Sequence, residues 1–214
     1  MLSLFFTKRK KFPVRTIEQL KNNVKILFID NETFNLTEDL KEKEGWKRIN
    51  CITDIKSMYQ PELLDAHILC IDIQGVGKEL GFPDEGLGLI VAIRTQYPEK
   101  KIIMYSAESQ GKVDAFHPAE GCVDARLKKS ANRYQFEVQL ERLAKEAFCL
   151  ENCAIHIQQI FQRELNIDIT VEEIKDRIIK LYSKGKYDNQ SICKIFNLSD
   201  TGSVASIISL LMSL

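Results

Sequence analysis

Ala66-His67-Ile68-Leu69-Cys70-Ile71-Asp72 runs into Ile73-Gln74-Gly75-Val76-Gly77 and, after a short charged run, Gly86-Leu87-Gly88. The chain is organised around this stretch. Of the six residues before Asp72, only His67 is not apolar. A short, nearly continuous apolar run reads as a strand buried on both faces. It ends on a carboxylate and passes into a glycine-rich loop. An open α/β sheet presents chemical groups in this way, at the carboxyl ends of its strands.

Working outward, Val24-Lys25-Ile26-Leu27-Phe28-Ile29-Asp30 is a second apolar run that ends on aspartate. The residues after it begin a helix expected to run to Glu44, with Gly45 as its stop. Trp46–Thr53 alternates as an edge strand, and a short helix is expected around Ile55–Leu64. From Gly86, the residues Leu87, Leu89, Ile90, Ala92 and Ile93 make a helical face that Pro98 ends. Lys101-Ile102-Ile103-Met104-Tyr105-Ser106 is the fourth strand. Gly111 and Pro118 stunt any helix in the connection that follows. Cys122–Leu127 is the fifth strand, leading into Lys128-Lys129-Ser130, and Tyr134–Phe148 is a helix with Phe136, Leu140 and Leu143 on its buried stripe. Alternating strands and helices imply parallel βαβ units, here in a doubly wound, three-layer domain. Asp30, Asp72, Ser106 and Lys128 or Lys129 should therefore gather on one edge.

Composition adds limits. The 214 residues are 44% hydrophobic and 28% charged, with a formal net charge of zero, so nothing global calls for nucleic acid. Residues 1–22 hold six Lys/Arg against one Glu, a basic N-terminal extension. The six cysteines are scattered, as expected of reduced thiols in a cytoplasmic protein. Cys149, Cys153 and His156 share a helical stripe, but three ligands without a second cluster favour packing over a metal. Met1–Phe6 precedes its basic cluster, the reverse of a signal peptide. No run approaches the roughly 18 apolar residues of a spanning helix.

The series Ile29-Asp30-Asn31-Glu32, Ile71-Asp72, Tyr105-Ser106-Ala107 and Leu127-Lys128-Lys129-Ser130 resembles the receiver domain of two-component response regulators. Gly45-Trp46, Pro83-Asp84-Glu85-Gly86-Leu87 and Glu120-Gly121-Cys122 add to the likeness, which spans residues 23–148. The resemblance implies a flavodoxin-like, five-stranded parallel sheet in the order 2-1-3-4-5. It implies Asp72 as phosphoryl acceptor, Mg²⁺ held by Asp30, Asn31 and Asp72, Ser106 as the hydroxyl that senses the phosphoryl group, and a lysine paired with it. Asp124-x-x-Leu127-x-Lys129 favours Lys129, whereas an ungapped count from Gly121 favours Lys128. The chemistry is consistent. Phosphoryl transfer needs a carboxylate nucleophile and cations for the equatorial oxygens.

The chain also departs from that pattern. Asn31 replaces a second acid. Gly75–Gly81 looks inserted beside the site. The fifth strand carries Ala125 and Arg126 where an aromatic is usual. The haloacid-dehalogenase pattern is not met, because Gln74 and Glu32 stand where its second aspartate would be, so no phosphatase is expected.

Residues 149–214 read as a small all-α domain. Ile157, Ile160, Phe161 and Leu165 mark one helix, and Thr170-Val171-Glu172-Glu173 has the form of a capping box that opens another. Ser191–Val204 is faintly like a helix-turn-helix. Its would-be recognition helix, Thr201–Leu211, has no Lys, Arg, Asn or Gln to meet phosphates or base edges. The expected protein is a cytoplasmic phosphoryl acceptor rather than an enzyme, served by a sensor histidine kinase or a phosphotransfer protein. Its output would pass through the C-terminal helices to a protein effector or a second copy. The rivals are a DNA-binding regulator and a receiver-fold module that works without phosphorylation.

Overall fold

A computed structural model describes residues 12–32, 35–107, 117–185, 188–198 and 207. The chain divides into two compact units, Arg15–Phe148 and Met1–Val14 with Cys149–Leu214.

The larger unit is built on five parallel strands in the order β2-β1-β3-β4-β5. These are β1 (Lys25–Ile29), β2 (Arg48–Ile52), β3 (Ile68–Asp72), β4 (Lys101–Ser106) and β5 (Ala125–Lys128). The flavodoxin-like sheet expected from the sequence is therefore present. β3 is buried at every position, as its unbroken apolar run requires, while the edge strand β2 is buried only at Ile49 and the edge strand β5 alternates. Leu27, Ile29, Leu69 and Ile71 pack on one face with Leu89, Ile90 and Ile93 of α4 (Glu85–Gln96). On the other face Phe28, Tyr105 and Phe136 form an aromatic group beneath α5 (Arg133–Ala147). Helix α1 (Ile17–Asn23) and helix α2 (Leu36–Glu42) lie beside α5. Arg15 donates to the Phe148 carbonyl at 3.2 Å, tying the ends of the unit together.

Several boundaries differ from the sequence expectation. The helix after β1 starts at Leu36 rather than directly after Asp30, because the Asp30 carboxylate accepts from Glu32 N at 2.9 Å and holds a turn. Helix α3 is only Pro61–Asp65: Pro61 fits the first turn of a helix but not its interior, and the Gln60 amide oxygen accepts from Lys56 N before it. β5 begins at Ala125 because Pro118–Cys122 forms a 3₁₀ turn.

The smaller unit packs α6 (Leu150–Ile160), a π turn (Phe161–Leu165), α7 (Val171–Lys184) and α8 (Asn189–Phe196) around Ile157, Phe161, Ile178, Ile192 and Phe196. Thr170 caps α7 by accepting from Glu173 N, but the Glu173 carboxylate pairs with Arg177 at 2.6 Å instead of completing a capping box. Cys153 is buried as the packing expectation requires, whereas Cys149 is exposed and serves as the N-cap of α6. Apart from Ile207, the helix expected over Thr201–Leu211 lies outside the described residues, as does Met1–Lys11.

Candidate phosphoryl-acceptor site

Parallel register brings the strand ends together. Ile29 pairs with Ile71, Asp72 with Tyr105, and Ser106 with Lys128. Asp30 leaves β1 and Asp72 ends β3, side by side on the carboxyl edge. Their exposures are only 7% and 2%, so both carboxylates depend on partners rather than on water.

Lys129 supplies the common partner. Its Nζ lies 3.0 Å from Asp30 Oδ1, 2.8 Å from Asp72 Oδ2 and 2.9 Å from Glu32 Oε2. The Lys129 N–H donates to the Ser106 carbonyl at 2.6 Å, which fixes the turn out of β5. Of the two candidate lysines, Lys129 reaches the carboxylates. Lys128 instead stands opposite Ser106 in the strand pairing. Ser106 is buried and lines a hollow of about 360 Å³ with Lys128, Ser130 and Gln135.

Two further bonds complete the cluster. Tyr105 Oη donates to Asp30 Oδ2 at 3.0 Å, and Gln74 N donates to Asp72 Oδ1 at 3.2 Å. Burial raises the Asp72 pKa above the ordinary aspartate value; Lys129 and Gln74 N–H pull against that shift. Burial alone would lower the Lys129 pKa, but hydrogen bonds to Asp72, Glu32 and Asp30 outweigh it and the pKa rises. The Tyr105 hydroxyl is pushed up by burial and by Asp30, so it remains a donor.

Asn31 is exposed, and its amide rests on Gly75. A Cβ built at Gly75 would lie 2.6 Å from it. Tyr105 and Glu32 belong to this site although the sequence reading gave them no role. Tyr105 reads there as an apolar strand residue, and only the pairing of β3 with β4 brings its hydroxyl to Asp30.

The donor set suits a hard divalent cation. Asp30, Asp72 and Glu32 against Lys129 leave an excess of two negative charges on carboxylate oxygens. Among the described residues no group of three or more His, Cys, Asp or Glu side chains is placed to hold a metal ion by itself. Mg²⁺ does not require one, since it keeps several waters and uses one or two carboxylates.

The chain matches no protein-family profile and no curated protein. Solved structures with a similar fold include a CheY-like response regulator receiver domain from Methanospirillum hungatei JF-1, at 20% identity, 58% of this chain, 95% of that one and a TM-score of 0.44. The NtrX receiver domain from Brucella abortus is similar at 21% identity, 56% of this chain, 98% of that one and a TM-score of 0.44. Full-length FixJ from B. japonicum is similar over 90% of both chains at 13% identity and a TM-score of 0.47. At these values the strand order and register, not the likeness, carry the fold.

Proposed function

We propose that this protein is a response-regulator-like signalling protein whose receiver unit accepts a phosphoryl group on Asp72. One observation carries the reading. A 2%-exposed aspartate at the end of the central strand is held 2.8 Å from a lysine that also binds a second strand-end aspartate. A carboxylate so placed, bonded on both oxygens, is oriented for attack.

In the proposed step one Asp72 oxygen attacks the phosphorus of a phosphohistidine on a sensor kinase or phosphotransfer protein. The P–N bond breaks, the imidazole leaves and takes a proton, and an acyl phosphate forms on Asp72. Mg²⁺, when bound by Asp30, Asn31 and Asp72, would offset the charge on the transferring oxygens. Lys129 supplies a positive charge to the new group, and Ser106 supplies a rotatable hydroxyl donor. The added charge, about −1.5 to −2, unbalances the Lys129 cluster and is what the molecule reads. The protein is an acceptor rather than a turnover enzyme, acting in the cytoplasm. Among the described residues no helix is long and apolar enough to cross a membrane.

The test is incubation with Mg²⁺ and a small phosphodonor, followed by intact mass. One added phosphoryl group on the wild type and none on Asp72→Ala supports the reading. No addition, or addition that persists in the variant, overturns it.

The output passes through the helical unit to a protein effector or a second copy. One observation favours DNA as a second reading. Arg177, Lys180, Lys184 and Lys194 line a hollow of about 310 Å³ on α7 and α8. Gel shifts at low salt decide this. Salt-sensitive binding lost in Lys180→Glu/Lys184→Glu supports the nucleic-acid output, and its absence supports a protein partner.

A further inference from the structure

The loop between β3 and α4 contains the apparent insertion Gly75–Gly81, and its hydrogen bonds converge on two carboxylates. Asp54, which follows β2, accepts from Gly77 N at 2.5 Å through Oδ1 and from Glu79 N at 3.0 Å through Oδ2. Glu85, the first residue of α4, accepts from Gly75 N at 2.5 Å and pairs with Lys78 at 3.1 Å. Val76 is fully buried in the core under α4. Gly77 has φ +80°, and a Cβ there would come 2.7 Å from the Glu85 carbonyl oxygen, so only glycine fits. Glu85 itself has φ +49°, a conformation that non-glycine residues adopt at a cost and keep only where their surroundings fix it. Gly86 packs directly on the Asp72 carbonyl, leaving no room for a side chain between α4 and the end of β3.

This loop is tied through Gly75, Gly77 and Glu79 and is buried at Val76 and Gly77, so its first half is a fixed wall rather than a lid. It also touches the candidate site, because the Asn31 amide rests on Gly75. We infer that Asp54 and Glu85 are positioning residues: they lock the β3–α4 loop, and through Gly75 that loop holds Asn31 where it can serve a cation bound at Asp30 and Asp72. The inference rests on the reading of this edge as a Mg²⁺-dependent phosphoryl site. It explains how a neutral amide can stand where a charged second acid is usual. The amide brings no charge, so its contribution depends on being held in place. Supports of this kind, outside the direct ligands, typically govern metal affinity by about 10- to 100-fold.

The test uses the full-length chain with Glu85→Ala, Asp54→Ala and the near-isosteric Glu85→Gln, whose amide oxygen still accepts from Gly75 N–H. Amide exchange at Asn31, Gly75 and Gly77 is followed by NMR, and Mg²⁺ binding is measured by calorimetry with no phosphodonor present. Both alanine variants are expected to speed exchange at Gly75 or Gly77, with Asn31 following. Mg²⁺ binding should weaken about tenfold while the thermal midpoint moves little, and Glu85→Gln should restore most of the affinity. Unchanged exchange at Asn31 in both alanine variants overturns the inference, as does unchanged Mg²⁺ affinity in them. If the wild type binds no Mg²⁺ and takes up no phosphoryl group, the functional reading fails instead. Exchange at Asn31 then still decides whether the two carboxylates hold it.

Discussion

Lys129 touches three carboxylates, and its side chain is only 14% exposed. Removing it leaves Asp30 and Asp72 buried with no cation beside them, a loss that typically costs about 3–5 kcal/mol in fully buried pairs. We expect Lys129→Met to lower stability by roughly 2–4 kcal/mol at neutral pH, a little less because the lysine is partly exposed. The sign with pH follows from Asp72, whose pKa burial raises in the fold. The penalty is full above that raised value and disappears as pH falls towards the unfolded value. Urea denaturation should therefore show the variant's deficit shrinking in acid, and millimolar Mg²⁺ should reduce it at neutral pH. A deficit that grows in acid would contradict the cluster. The same raised pKa places the loss of the nucleophilic carboxylate above 3.8. At this scale, Asp30, Asp72 and Ser106 were legible because each ends an apolar run that has to be buried. Tyr105 was not, since its role depends on which residue faces it across the sheet. Lys128 and Lys129 could not be separated by counting. Their positions differ in the fold: Lys129 Nζ lies against Asp30 and Asp72, whereas Lys128 pairs with Ser106 in the sheet.

Among the elements, β3 was the clearest in the sequence and is the most deeply buried strand. The polar residue just before it, His67, is not a flaw in the run. His67 Nδ1 accepts from Lys25 N at 3.0 Å and the ring meets Phe148 edge-on, so the imidazole joins β3 to β1 in its neutral form. Burial, with Lys100, Lys25 and Arg48 nearby, lowers its pKa to about 3. The unfolded chain takes up this proton near pH 6.5 whereas the fold resists it to about pH 3, so stability falls steadily as pH drops across that window. By pH 5 the loss is roughly 2 kcal/mol. His67→Asn, whose side-chain oxygen also accepts from Lys25 N, should lose this slope. A variant with an unchanged acid slope between pH 6.5 and 5 would contradict the assignment. Helix boundaries were harder to read than strands. Periodicity alone extended α3 back to Ile55, but Pro61 and the Gln60 side chain hold that segment in turns.

Over the whole molecule, the core of Arg15–Phe148 closes within that unit, with Arg15 and Phe148 bonded at its ends. A fragment of those residues should therefore fold and take up phosphoryl at a rate within about twofold of the full chain, as expected of a domain with its own core. A fragment that stays unfolded by circular dichroism would contradict that autonomy. The C-terminal helices were legible from their 3.6-residue period. The hollow on α7 and α8 was not, because a net charge of zero hides it, although Arg177, Lys180 and Lys184 follow helical spacing. The proposed signalling role depends on the chemistry of Asp72. The most direct measurement is borohydride reduction of the protein after treatment with Mg²⁺ and a phosphodonor, followed by peptide mass spectrometry. Reduction of an aspartyl phosphate leaves homoserine, so the account predicts homoserine at position 72 and at no other aspartate. An unmodified Asp72, or homoserine at a different position, would contradict it.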